Sequence, residues 1–142
     1  MLRDGDVDSA IALYSEALEA DPTIVSCYAN RSVCYSKIGL TEKCVKDLTS
    51  ALVILHSDPP DDTSAVTATG GMVGLIVKFL LRRGAAFHSL GHEQEALEDY
   101  EDARQEAIAA ATGSKKDVHC FLPPSLKLSD IDATISKFKQ HL

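Results

Sequence analysis

Lys78, Arg82 and Arg83 concentrate positive charge on one short stretch of a 142-residue chain whose net charge is −7. If that stretch is helical, Lys78 and Arg82, four residues apart, share a face. An ammonium beside a guanidinium suits a carboxylate, because lysine supplies a mobile point charge and arginine a planar fork. Fifty-two residues before Arg82 stands Asn30, whose amide can donate to a peptide backbone or a terminal carboxylate. Such side chains suit holding an acidic group, not the making or breaking of bonds. Arg31 and Arg83, each one residue further on, share a slot of their own and suit ion pairs with neighbouring acidic helices. A lysine and an arginine on a helix are also commonly plain solvated surface. Three readings therefore stand: a carboxylate grip, another peptide contact, and no ligand.

Other chemistries find less support. His56, His88, His92, His119 and His141 are scattered, and Gly91 separates His88 from His92, breaking the helix that would align them as metal ligands. Gly70-Gly71-Met72-Val73-Gly74 lacks the Gly-Lys-Ser/Thr of a phosphate loop and reads as a hinge into a helix. No motif frames a serine nucleophile. Glu98, Asp99, Glu101 and Asp102 read as a solvated acidic face. Catalytic residues, cofactors and metals are accordingly not expected.

The acidic balance disfavours nucleic acid, whose phosphates need a basic face. No apolar run reaches the ~18 residues of a membrane span. Met1-Leu2-Arg3-Asp4-Gly5-Asp6 shows no basic region followed by an apolar run, so no export leader is expected. Cys27, Cys34, Cys44 and Cys120 have no CxxC spacing, and three fall in helix-like apolar patterns where a small buried thiol is usual. Free thiols without an export signal point to the cytoplasm.

The elements that must carry these residues are helices. Val7, Ala10, Ile11, Tyr14, Ala17 and Leu18 recur at three- and four-residue steps, with Asp6 as a possible cap and Asp21-Pro22 as the stop. A second helix is predicted from Thr23 to Ile38 before Gly39, and a third after Thr41 as cap, with Cys44, Val45, Leu48, Ala51, Leu52 and Leu55 inward. Residues 57–71, with Pro59-Pro60 and Gly70-Gly71, read as a loop. Helical patterns return over Met72 to Leu90 and Glu93 to Ala111. A last helix is signalled by Ser129 as cap and by the stripe Ile131, Ile135, Phe138 and Leu142. Nothing alternates long enough for a sheet.

These helices repeat. Gly5 and Gly39, Ala10 and Cys44, Tyr14 and Leu48, and Ala17 and Ala51 are each 34 residues apart. The same template places Leu80, Gly84, Phe87, Gly91, Ala96, Tyr100 and Ala103 in the slots of Tyr28, Ser32, Tyr35, Gly39, Cys44, Leu48 and Ala51, at an offset of 52 that contains an 18-residue insertion. Over roughly residues 1–110 this resembles the tetratricopeptide repeat, strongly in Ala10, Tyr14, Ala17 and Pro22 and in Gly84 to Ala103, more weakly where Cys44 and Leu48 replace alanine and an aromatic. The resemblance implies an all-α solenoid of antiparallel helix pairs.

The expected organisation is 1–22 as the second half of a first repeat, 23–56 as a second, 57–71 as an inserted loop, 72–111 as a third, 112–128 as a connector and 129–142 as a capping helix. In that register the first repeat lacks its first helix, and the chain is expected to be a piece of a longer protein. The resemblance further implies a groove for an extended peptide. In the co-chaperone subset a clamp of Lys, Asn, Asn, Lys and Arg grips the C-terminal Glu-Glu-Val-Asp of heat-shock chaperones, and Asn30, Lys78 and Arg82 match three of its five positions. The run Leu80 to Phe87, together with the long loop, is similar to the modules of dynein-arm assembly factors, which are chaperone adaptors in cilium building. Immunophilins and a serine/threonine phosphatase carry similar modules, and a generic repeat scaffold is the remaining alternative.

Overall fold

The structure, a computed structural model, describes residues 4–57, 71–114 and 127–141. Its regular elements there are all α-helices: α1 Asp4–Ala20, α2 Val25–Lys37, α3 Thr41–Ser57, α4 Gly71–Ser89, α5 Glu93–Ser114 and α6 Leu128–His141. They fall into two compact units, α1 to α3 and α4 to α6. In the first, α2 packs against both α1 and α3. In the second, α5 packs against both α4 and α6. No described helix is long and apolar enough to cross a membrane.

The turns inside the pairs are built alike. Gly39 and Gly91 adopt φ of 81° and 80°, a left-handed backbone that costs glycine nothing. In the first turn the Leu40 amide donates to the Tyr35 carbonyl at 2.9 Å and the Gly39 amide to Ser36 at 3.3 Å. In the second, His92 donates to Phe87 at 2.9 Å and Gly91 to His88 at 3.0 Å. Both are the paired closing bonds of a glycine-terminated helix. A turn this short leaves the next helix antiparallel to the last.

Each unit has its own core. Leu48, Ala51 and Leu55 are fully buried in the first, and Val77, Phe79, Ala96, Ala103 and Ile131 in the second. Cys34 and Cys44 are buried and Cys27 is half-buried; Cys120 lies outside the described residues. Gly84 lets α5 come close to α4, since a Cβ there would stand 3.0 Å from the Tyr100 ring.

Helix starts depart from the sequence reading. α1 begins at Asp4, so Asp6 is inside it. Asp21 Oδ1 instead organises the following turn, accepting from the Thr23 amide at 3.0 Å and its hydroxyl at 2.6 Å. Thr23 is thereby spent outside the helix, and α2 starts at Val25 behind Ile24, which gives no side-chain cap. Thr41 is the first residue of α3 rather than its cap. In α6 the cap falls to Lys127, whose amide donates to Asp130 Oδ2 at 3.0 Å, and Ser129 lies one turn position inside. Asp132 is engaged elsewhere, by Arg104. Of the expected loop 57–71, Ser57 closes α3 and Gly71 opens α4; residues 58–70 are outside the described residues. α5 continues to Ser114, into the expected connector, whose residues 115–126 are likewise outside.

Candidate functional site

α4 sorts its three cations around its circumference. Phe79, Leu80 and Leu81 are buried toward the core, which orients the positions between and beyond them. Arg83 follows the core side: its Nε donates to Asp99 Oδ2 at 2.8 Å and a terminal nitrogen donates to Oδ1 at 2.7 Å. Arg82, about 100° away around the helix, is half-buried on the Lys78 face. Lys78 is half-buried too, and its pKa is lowered, first by burial and second by the positive charge of Arg82. An anion set against that pair would relieve both causes.

Asn30 lies in the other unit, exposed on α2 in the slot that Arg82 occupies on α4. Its neighbour Arg31 repeats the behaviour of Arg83. Nε donates to Asp47 Oδ2 at 2.8 Å and a terminal nitrogen donates to Oδ1 at 2.7 Å, while the third donor reaches the Ser15 hydroxyl on α1 at 3.0 Å. Arg31 thus ties all three helices of its unit together, and Tyr28 and Tyr35 flank its guanidinium at 5.8 and 5.7 Å. The hydrogen bonds to Asp47 and Asp99 are also what raise the pKa of Arg31 and Arg83. Both arginines are structural.

One part of the sequence reading is overturned here. Asp99 does not belong to a solvated acidic face; its side chain is only 4% exposed, because Arg83 supplies the two hydrogen bonds that make burial tolerable. Asp47 is its buried counterpart. A recurring signal marked both: arginine and aspartate sixteen residues apart, twice, at the 52-residue offset.

Among the described residues the histidines form no metal-holding cluster. His88 Nδ1 lies 2.9 Å from Glu93 Oε1, and its ring packs edge-on against Phe138 of α6 at 5.1 Å. These residues, with Tyr100, Thr134 and Lys137, line a cleft of about 540 Å³ inside the second unit. α6 is otherwise seated on buried Ile131, Ile135 and Phe138, beside exposed pairs of Arg104 with Asp132 and Lys139 with Glu101.

No protein-family model matches the chain. It is 34% identical over 111 residues to rat mitochondrial import receptor subunit TOM34, covering 72% of this chain and 30% of that protein. It is 33% identical over 94 residues to human tetratricopeptide repeat protein 28, covering 66% of this chain and 3% of that protein. It is 32% identical over 95 residues to rat dynein axonemal assembly factor 4, covering 67% and 20%. The chain therefore spans less than a third of the length of the curated relatives it matches. The crystal structure of MamA aligns over 96% of this chain and 88% of its own at 20% identity and a TM-score of 0.35, too loose to decide the fold. Paired antiparallel helices, twin glycine turns, a 34-residue period and relatives of this kind make the chain a tetratricopeptide-repeat domain.

Proposed function

We propose that this domain, a protein–protein interaction module, binds the acidic C-terminal tail of a heat-shock chaperone, with Lys78 and Arg82 gripping the carboxylates; Asn30 is proposed separately as a peptide contact on α2. The observation that carries this reading is the sorting of charge on α4. Arg83 is spent on Asp99, while Lys78 is held half-buried beside a second cation against its own protonation. A carboxylate bound beside Lys78 would favour its ammonium form. Likeness to dynein axonemal assembly factor 4 supports the role of an adaptor between chaperone and client in dynein-arm preassembly, and a cytoplasmic place of action.

The test is fluorescence anisotropy with a labelled peptide ending in Glu-Glu-Val-Asp. The chain is expected to bind the free-acid peptide, and Lys78→Ala with Arg82→Ala to weaken it by about a hundredfold or more, since two charge-assisted contacts go. Amidating the terminal carboxylate should cost at least about tenfold. Equal affinity of the double variant, with its helical circular dichroism intact, would remove the proposal.

A further inference from the structure

The cleft inside the second unit draws its walls from each helix of that unit. His88 lies in the last turn of α4, Glu93 opens α5 with Tyr100 two turns on, and Thr134, Lys137 and Phe138 stand on α6. The polar groups of these walls are unevenly spent. Glu93 Oε1 lies 2.9 Å from His88 Nδ1, and a carboxylate only accepts, so Nδ1 carries the proton and Nε2 of the neutral ring is an acceptor. The Thr134 hydroxyl donates to the Asp130 carbonyl at 2.9 Å, which leaves its oxygen to accept as well. Among the described residues, Glu93 Oε2 alone is a buried side-chain polar atom without a hydrogen bond. Folding strips such an oxygen of its water and gives nothing back. Lys137 does not repair this, being exposed and making no ion pair with Glu93.

Rings supply the rest of the site. Phe138, only 5% exposed, holds the His88 ring edge-on at 5.1 Å and the half-buried Tyr100 ring tilted by 32° at 5.5 Å. Aromatic faces carry negative potential and attract cations. An acceptor-rich cleft with aromatic walls, in a chain of net charge −7, therefore selects positive charge that brings N–H donors. Its volume of about 540 Å³ lies in the range that small ligands fill.

We propose that this cleft binds a donor-bearing cation on an apolar stem, the ammonium or guanidinium of a partner's lysine or arginine side chain or of a free amine, with Glu93 as counter-ion and Tyr100 and Phe138 against the stem. Oε2 comes within reach because the Glu93 side chain as a whole is 31% exposed and its last torsion is broad, so the carboxylate turns into the cleft at little cost. A neutral apolar ligand would leave Oε2 unpaired, and an acidic one would be repelled by it. Lys137 opposes the ligand, since its like charge at the rim lowers affinity without occupying the acceptors. The site shares no residue with Lys78 and Arg82, and its test is separate from theirs.

Heteronuclear NMR on the isotope-labelled full chain provides that test with three probes. These are N-acetyl-lysine methylamide, free n-pentylamine, and N-acetyl-norleucine methylamide, which keeps the stem and lacks the charge. Both amines are expected to shift the resonances of Tyr100, Thr134 and Phe138, and the norleucine compound to bind at least about tenfold more weakly. Glu93→Gln keeps the shape and removes the charge, and should weaken the amines about tenfold or more. Lys137→Met keeps the stem and removes the repulsion, and should tighten them about threefold. Loss of fold would weaken both variants, so it cannot imitate changes of opposite sign. Tighter binding of the lysine compound would assign the cation to a partner's side chain, and tighter binding of pentylamine to a small amine. Equal binding of the norleucine compound, unchanged affinity in Glu93→Gln, or no gain from Lys137→Met would overturn the site. So would shifts confined to residues outside the cleft.

Discussion

Arg83 and Asp99 are sixteen residues apart in sequence and meet through two hydrogen bonds of 2.8 and 2.7 Å that join α4 to α5. Arg31 and Asp47 make the same contact, at the same two distances, between α2 and α3. The fork of the guanidinium matches both carboxylate oxygens, so each buried aspartate is satisfied and each helix pair is fixed in register. A contact placed identically in two repeats belongs to the scaffold.

Arg83→Ala should destabilise the second unit by about 3 kcal/mol, because it strands the Asp99 carboxylate away from water. Replacing both partners by apolar residues of similar size, Arg83→Met with Asp99→Leu, should leave stability within about 1 kcal/mol of the original. Urea denaturation followed by circular dichroism measures both. A double variant as unstable as the single one would show that packing, not the stranded charge, sets the cost.

Gly84 and Gly39 answer to different constraints, and alanine tells them apart. At Gly84 a Cβ meets the Tyr100 ring at 3.0 and 3.2 Å and Asp99 Cβ at 3.3 Å, so Gly84→Ala should cost about 1–3 kcal/mol by overpacking. Shortening the ring, Tyr100→Leu, should rescue it, as the first unit already shows in its corresponding Ser32 and Leu48, both buried. At Gly39 nothing lies within 4 Å, yet φ is +81°, so Gly39→Ala should cost about 1 kcal/mol. No neighbouring substitution should recover that loss. Thermal unfolding of the four variants decides the matter.

The fold was legible because the 34-residue period, stretched to 52 across the insertion, joins residues that packing constrains: Gly39 and Gly91 by backbone conformation, Gly84 by its distance to Tyr100, and Leu48 by burial. Lys78 and Arg82 were legible for the same reason, since four residues along a helix return to one face. What stayed hidden was which acid goes inside. Asp99 sits in a run with Glu98, Glu101 and Asp102, and composition cannot single out the one member that an arginine of another helix reaches. The start of α2 at Thr23 and the cap of α6 at Ser129 were misplaced because both residues suit helix starts by type. At both sites a neighbouring aspartate, Asp21 or Asp130, takes the backbone amide first.

α6 is held by its apolar stripe, not by its charges. Phe138 is buried and packs on both His88 and Tyr100, with ring centroids 5.1 and 5.5 Å away, so Phe138→Ala should cost about 3–4 kcal/mol. Arg104 and Asp132 are both more than 40% exposed, so Arg104→Ala should cost less than about 1 kcal/mol after solvent screening. Proteolysis rates across α6 should rise steeply for the first variant and hardly for the second. Comparable rates would mean that the ion pair anchors the helix.

Lys78 makes the proposed carboxylate grip sensitive to alkali. Burial first, and Arg82 second, lower its pKa from the ordinary 10.5, so the folded chain holds fewer protons than the unfolded one between that lowered value and 10.5. In that window stability rises with pH, because deprotonation relieves a charge that the fold opposes. Binding runs the other way: a bound carboxylate favours the ammonium, so affinity for an acidic C-terminal peptide should fall as pH climbs through the free-state pKa, below 10.5. Lys78→Arg keeps the positive charge throughout and should bind at pH 7 while flattening the decline toward about pH 10. Anisotropy titrations across that range, on the chain and on Lys78→Arg, give the comparison. If the arginine variant binds at neutral pH and loses affinity along the same curve, the titrating group is not Lys78, and its place in the grip is lost.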